Sequence, residues 1–192
     1  MNRRTVFAVL LMIALLVAVP MFISLLFTHQ NAGKICVEKE IDAPYLEHVS
    51  KDVFLVFYGY VGCTKVCTPM LHRLNAFYSS RAFDPYRNEV GFVFVNLMPE
   101  IQPDQPEKFA HFFNPAFEGI YLESRELMEI DRTLGVYFSK SLNDPLELDH
   151  SDYIYLIRKD KGGRLVLLNI YMTHPLNQKL VLDDLHEYMG MK

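Results

Sequence analysis

The chain has 192 residues, a formal net charge of −4 and three cysteines. That length holds one domain with a segment to spare. The acidic balance, without any basic run, argues against a nucleic-acid partner, and three cysteines are too few for a disulfide scaffold.

Arg3 and Arg4 precede an apolar run, Val6–Phe27, interrupted only by Ser24 and carrying Pro20 as its one helix breaker. As a helix the run would span about 33 Å, enough to cross a hydrocarbon core. The two arginines would keep a short tail, residues 1–5, in the cytoplasm. A cleaved signal peptide is the competing reading, but the run is long for one and no A-x-A site follows. Ile35 stands where lipoprotein processing at Cys36 would need a small residue. The expectation is an uncleaved single-pass anchor over 6–27, a linker over 28–36 that includes Cys36, and an exported domain over 37–192. In a bacterium that domain would face the periplasm from the inner membrane.

Within the domain, Val37–Ile41 reads as an edge strand, and Val53–Tyr58 is apolar and β-favouring enough for a buried central strand. Gly59 and Gly62 then turn the chain into a helix over about Val66–Ser80, with Leu71, Leu74, Phe77 and Tyr78 on its inner side and Pro69 near its first turn. Val90–Leu97 is nearly continuous in hydrophobicity, as a parallel strand covered on both faces would be. A short helix over Glu107–Phe113, a short strand over Glu118–Leu122 and a helix from Ser124 to a C′ glycine at Gly135 follow. Val136–Phe138 is extended, Asn143-Asp144-Pro145 is a turn, and Tyr153–Arg158 with Leu165–Tyr171 forms a hairpin about Asp160–Gly163. A helix over Asn177–Met189 closes the chain. Alternating strands and helices followed by a hairpin predict an α/β, thioredoxin-like fold with an inserted strand and helix.

Cys63 and Cys67 fall where the central strand hands over to its helix. On a helix beginning there, positions i and i+4 would bring the two side chains to one face with Cβ atoms about 6 Å apart. Two sulfurs so placed suit a shared soft metal ion or a disulfide, and nearby helix N–H groups would favour thiolate. His150, in Leu148-Asp149-His150-Ser151-Asp152, stands directly before the hairpin, where a thioredoxin-like fold passes beside the dithiol. Two thiolates and an imidazole suit copper, with zinc as the chemical rival. Read alone, a loop histidine is more often a solvated residue than a ligand. His72 belongs on the exposed flank of the cysteine helix. Asp149 and Asp152 either orient His150 or simply solvate the loop.

With these residues in place the sequence resembles the Sco/SenC family of copper chaperones, membrane-anchored thioredoxin-fold proteins associated with assembling the dinuclear copper centre of cytochrome c oxidase. The likeness runs from the N-terminal segment to the closing helix. It is carried by Phe57-Tyr58-Gly59-Tyr60, the C-x-x-x-C of Cys63 and Cys67, Asp149-His150-Ser151, and Tyr155-Leu156-Ile157 with its glycine turn. The resemblance implies that Cys63, Cys67 and His150 ligate copper and that a copper-accepting oxidase subunit is the partner.

Departures from the family pattern are specific. Thr64 and Thr68 replace the prolines that follow each cysteine, with Pro69 displaced by one residue, and Lys65 occupies a position often acidic in relatives. Met98 replaces the first aspartate of a downstream S-V-D-P-E-R-D element. A lysine beside the pair stabilises thiolate but reduces the negative charge that welcomes Cu⁺. Met98 is either a nearby thioether or plain packing. The leading expectation is a copper metallochaperone. The alternative is a thiol–disulfide oxidoreductase that uses Cys63 and Cys67 to reduce cysteines of a copper-accepting partner, and a static disulfide is the bland reading.

Overall fold

The computed structural model describes residues 3–28, 33–142, 144 and 147–190. It falls into two compact units, Met1–Lys34 and Ile35–Lys192. The first contains helix α1, Arg3–Thr28, which is continuous through Pro20. Counting only the described residues, no helix is long and apolar enough to cross a membrane. The side chains of Val6, Ala8, Leu10 and of residues 23–28, within the run expected to span, lie outside the described set.

The second unit is built on a six-stranded sheet in the order β1-β8-β7-β2-β3-β4. Its strands are β1 (Lys34–Ile41), β2 (Val53–Gly59), β3 (Val90–Asn96), β4 (Phe117–Ile120), β7 (Ile154–Lys159) and β8 (Leu165–Tyr171). Strand β2 runs parallel to β3 and antiparallel to β7, and β3 runs parallel to β4. The parallel pairs follow from the helical crossovers α2 (Cys67–Tyr78) and α3 (Gln105–Phe113), while the terminal hairpin β7–β8 supplies the antiparallel neighbours. Helices α4 (Ser124–Leu134) and α5 (Gln178–Met189) complete the layers. This is the α/β, thioredoxin-like arrangement expected from the order of elements.

Every residue of β2 and β3 is buried, as strands sandwiched between two layers must be. Alternation sends Val53, Leu55 and Phe57 into one core with Leu71, Leu74 and Phe77 of α2 and Val181 and Leu185 of α5. It sends Phe54, Val56 and Tyr58 into a second core with Leu127, Ile130 and Leu134 of α4. Helix α4 stops at Gly135, whose φ of 64° is the left-handed conformation expected of a C′ glycine.

Three expectations need correcting. The edge strand β1 begins at Lys34, so Cys36 sits exposed in a strand and not in a linker; the rest of the expected linker, residues 29–32, lies outside the described residues. Helix α2 begins at Cys67, within a residue of the expected start, but Cys63 lies in the preceding turn and not on the helix four residues before Cys67. The reason is local: the Cys63 carbonyl accepts from both the Thr68 N–H (3.1 Å) and the Thr68 hydroxyl (2.8 Å), which diverts it from the helical ladder. Third, His150 is no loop residue. It ends β6 (Leu148–His150), which pairs antiparallel with β5 (Phe138–Lys140) in a separate two-stranded ribbon. The intervening turn was expected at Asn143-Asp144-Pro145, of which Asn143 and Pro145 lie outside the described residues.

Candidate metal centre

The end of β2 fixes the first half of the site. Gly59 is its last residue, and its carbonyl accepts from the Leu97 N–H at 2.7 Å. Fully buried Asn96, the last residue of β3, ties down the turn that follows. Its Oδ1 accepts from the Val61 N–H at 3.1 Å and its Nδ2 donates to the Met98 carbonyl at 2.5 Å. Gly62 takes a φ of 90° in the turn, a conformation that favours glycine. The Cys63 N–H donates to the Tyr60 carbonyl, and Cys67 opens α2 with its own N–H directed at the Cys63 sulfur at 3.3 Å.

The second half comes from the ribbon. His150 lies 83 residues from Cys67, yet its Nε2 stands 3.5 Å from the Cys67 sulfur. The opposite ring nitrogen, Nδ1, is 3.0 Å from the Ser151 carbonyl. A carbonyl only accepts, so Nδ1 carries a proton, and the opposite nitrogen faces the sulfurs, donating to the Cys63 thiolate when the ring is charged and offering a lone pair when it is neutral. Edges of Phe57 and Tyr60 hold the imidazole, with ring centroids 6.2 and 5.9 Å away. The sulfur and nitrogen atoms of Cys63, Cys67 and His150 all lie within 4.8 Å of one another.

The 3.5 Å between the Cys67 sulfur and His150 Nε2 matches two donors of one small ion. Three donors in a plane at metal–ligand distances of about 2.0–2.3 Å stand roughly 3.5–4.0 Å apart. Among the described residues no fourth His, Cys, Asp or Glu joins the group. Two sulfurs and one nitrogen without a fourth ligand fit a soft, low-coordinate ion such as Cu(I) better than a closed tetrahedral zinc site.

The two thiols are unequal. Cys63 is held well below the ordinary thiol range, chiefly because the Cys67 thiol donates to it, with the Cys67 and Val66 N–H groups adding to the effect against burial. Burial pushes Cys67 strongly upward, and the adjacent Cys63 thiolate adds to the rise. For His150 burial opposes the charged form, but the hydrogen bond to Cys63 and the Ser151 carbonyl outweigh it and raise its value. The metal-free reduced site is therefore a Cys63 thiolate beside a neutral Cys67 thiol.

Other residues singled out in the sequence fall outside this cluster. His72 is exposed and stacks edge-on against Phe113 at 4.9 Å. Asp149 is exposed on the ribbon face opposite His150, and Asp152 pairs with His174 at 2.8 Å. Met98 is half-buried and packs against the core that includes the cysteines. Two contributors escaped the sequence reading. A Cβ on Gly59 would lie 2.6 Å from the Cys67 sulfur, so only glycine leaves room for that atom. The Tyr60 ring packs edge-on against the His150 imidazole at 5.9 Å, joining the cysteine turn to the ribbon. No spacing rule reports either contact, because both depend on how the turn folds back.

A thioredoxin-like sheet with two thiols and an imidazole at the end of its central strand defines a protein of soft-metal or dithiol redox chemistry. Its relatives narrow that class. The family model of SCO1/SenC matches residues 46–190, most of the chain, and the chain belongs to that family. Among solved structures it is similar to apo Sco1 from Thermus thermophilus, with 26% identity and a TM-score of 0.56 over 83% of this chain and 95% of that one. It is also similar to copper-bound ScoI from Bradyrhizobium japonicum, with 25% identity and a TM-score of 0.57 over 72% and 85% of the two chains. Copper-bound yeast Sco1, 21% identical, shares the fold with a TM-score of 0.55 over 73% of this chain and 77% of its own. Among curated proteins, none matches the chain.

Proposed function

We propose that this protein is a membrane-anchored copper metallochaperone that holds Cu(I) on Cys63, Cys67 and His150 and passes it to a copper-accepting subunit of a cytochrome c oxidase. The observation that carries the reading is the convergence of these three donors, with Nε2 of His150 aimed at the cysteine pair. Copper bound to a family member one-quarter identical to this chain supports the choice of metal. The apolar run over 6–27, preceded by Arg3 and Arg4, supports an N-terminal anchor with the domain on the periplasmic side of a bacterial inner membrane. Anchoring confines the search for a membrane-bound acceptor and raises effective concentration.

Handover then proceeds by ligand exchange. Acceptor thiolates displace His150 and the sulfurs in turn, and copper needs no change of oxidation state. One proton taken up by the vacated Cys67 replaces the charge of the departing Cu⁺.

The unequal thiols favour a second reading at the same site. The Cys63 thiolate attacks a partner disulfide, forming a mixed disulfide and releasing one partner thiolate. Cys67 then loses its proton and attacks Cys63, so that the partner leaves fully reduced and Cys63–Cys67 is oxidised. His150→Ala separates the readings. We expect Cu(I) affinity, measured against a competing chelator, to fall by at least about tenfold while the dithiol potential stays near that of the parent. Unaltered affinity removes His150 from the metal site and leaves the redox reading, which Cys67→Ser tests by trapping a covalent partner adduct.

A further inference from the structure

The cysteine turn and the His150 strand meet across a gap that the main sheet does not close. The ribbon β5–β6 is hydrogen-bonded to itself and not to the six-stranded sheet. Two short strands alone are marginal in water, so side chains must hold the ribbon in place. Leu148 supplies apolar contact to both cores. Beyond it and the Phe57 and Tyr60 rings against His150, a further tie is ionic: Lys65, midway between the cysteines, donates to Glu147 Oε2 at 2.7 Å. Glu147 is itself fixed at the base of the ribbon, where its carbonyl accepts from the Ser141 N–H and its N–H donates to the Asp144 carbonyl.

We propose that the Lys65–Glu147 ion pair is a clasp that holds the His150 strand against the cysteine turn and thereby sets how fast the bound metal ion leaves. This rests on the reading of Cys63, Cys67 and His150 as copper ligands. The Lys65 side chain is 73% exposed and that of Glu147 31% exposed, so the pair contributes little to global stability. Its leverage is on a local opening. Separating the ribbon from the turn moves His150 away from both sulfurs, and such an opening needs far less than unfolding. Lys65 and Glu147 are positioning residues; neither touches the ion. The lysine that departs from the family pattern thus has a partner in this chain, directly before the strand that carries His150.

The test uses the full-length reduced protein in detergent, loaded with Cu(I), and follows release to excess chelator. Lys65→Gln and Glu147→Gln should each speed release roughly two- to five-fold, with little further gain in the double variant. The exchanged pair Lys65→Glu with Glu147→Lys should return the rate to within about twofold of the parent, which a loss of packing would not do. Parent release should quicken with salt and the double Gln variant should not. In the metal-free protein, amide exchange at Leu148–His150 should quicken in each single variant and stay unchanged in β2 and β3. Additive single effects, no recovery on exchange, or unaltered amide exchange overturns the clasp. If His150→Ala keeps parental Cu(I) affinity, the ligand assignment fails instead, and amide exchange still reports whether the ion pair holds the ribbon.

Discussion

Cys67 lies at the floor of the site with its sulfur over Gly59, whereas Cys63 collects N–H groups from the start of α2, and the contrast makes one thiol a buried proton carrier and the other a standing thiolate. Gly59 is the residue on which this depends most directly. In Gly59→Ala the new methyl would meet the Cys67 sulfur at 2.6 Å, with Phe94 at 3.2 Å and Phe57 at 3.3 Å closing the remaining sides. The sulfur is the atom that yields. We expect a loss of about 1–3 kcal/mol in unfolding free energy from overpacking, together with a fall in Cu(I) affinity of about tenfold or more. Gly135→Ala is the control. Its φ of 64° makes it costly by about 1 kcal/mol, but nothing lies within 4 Å of the added methyl, and metal affinity should not change.

The strand ends and turns around these residues are held by few, specific bonds. Asn96 satisfies the Val61 N–H and the Met98 carbonyl at once from a fully buried position. Asn96→Ala strips both bonds and should lower stability in urea by about 2 kcal/mol, while speeding Cu(I) release because the turn leading into Cys63 is no longer fixed. Undisturbed release in a destabilised variant would show that the turn is held by the cysteines themselves. The contrast between elements explains what the sequence made legible. Strands β2 and β3 could be read because continuous runs such as Val53-Phe54-Leu55-Val56-Phe57 have few alternatives to a doubly covered strand. The ribbon could not be read. Leu148-Asp149-His150 is three residues of mixed character whose pairing with Phe138–Lys140 depends on the intervening turn and not on propensity. The helix start was legible to within a residue, but the position of Cys63 off the helix was not, since it depends on Thr68 capturing the Cys63 carbonyl.

Across the whole chain, the site joins residues far apart in sequence, and only the fold brings His150 to the cysteine turn. The convergence of Cys63, Cys67 and His150 was legible nonetheless, because the order of elements sends the segment before the β7–β8 hairpin past the end of β2. The supporting contacts from Gly59, Tyr60, Asn96 and Glu147 were not, since each needs the folded turn. The N-terminal segment makes its own prediction. If residues 6–27 anchor the chain, the full-length protein should remain in the membrane fraction after alkaline carbonate extraction, and detergent should release it. Recovery of the intact chain in the carbonate supernatant would show a peripheral association instead.

The contrast between two buried cysteines and a less buried imidazole also gives the site a direction. Cys67 is wholly enclosed, at 0% exposure, while the imidazole of His150 is only half-buried. If the three donors hold copper as proposed, an incoming ligand meets the ion from the imidazole's flank, and Cys67 is the last to let go. Traffic through such a site would then follow an order of departures written by packing and not by the relative strengths of three bonds.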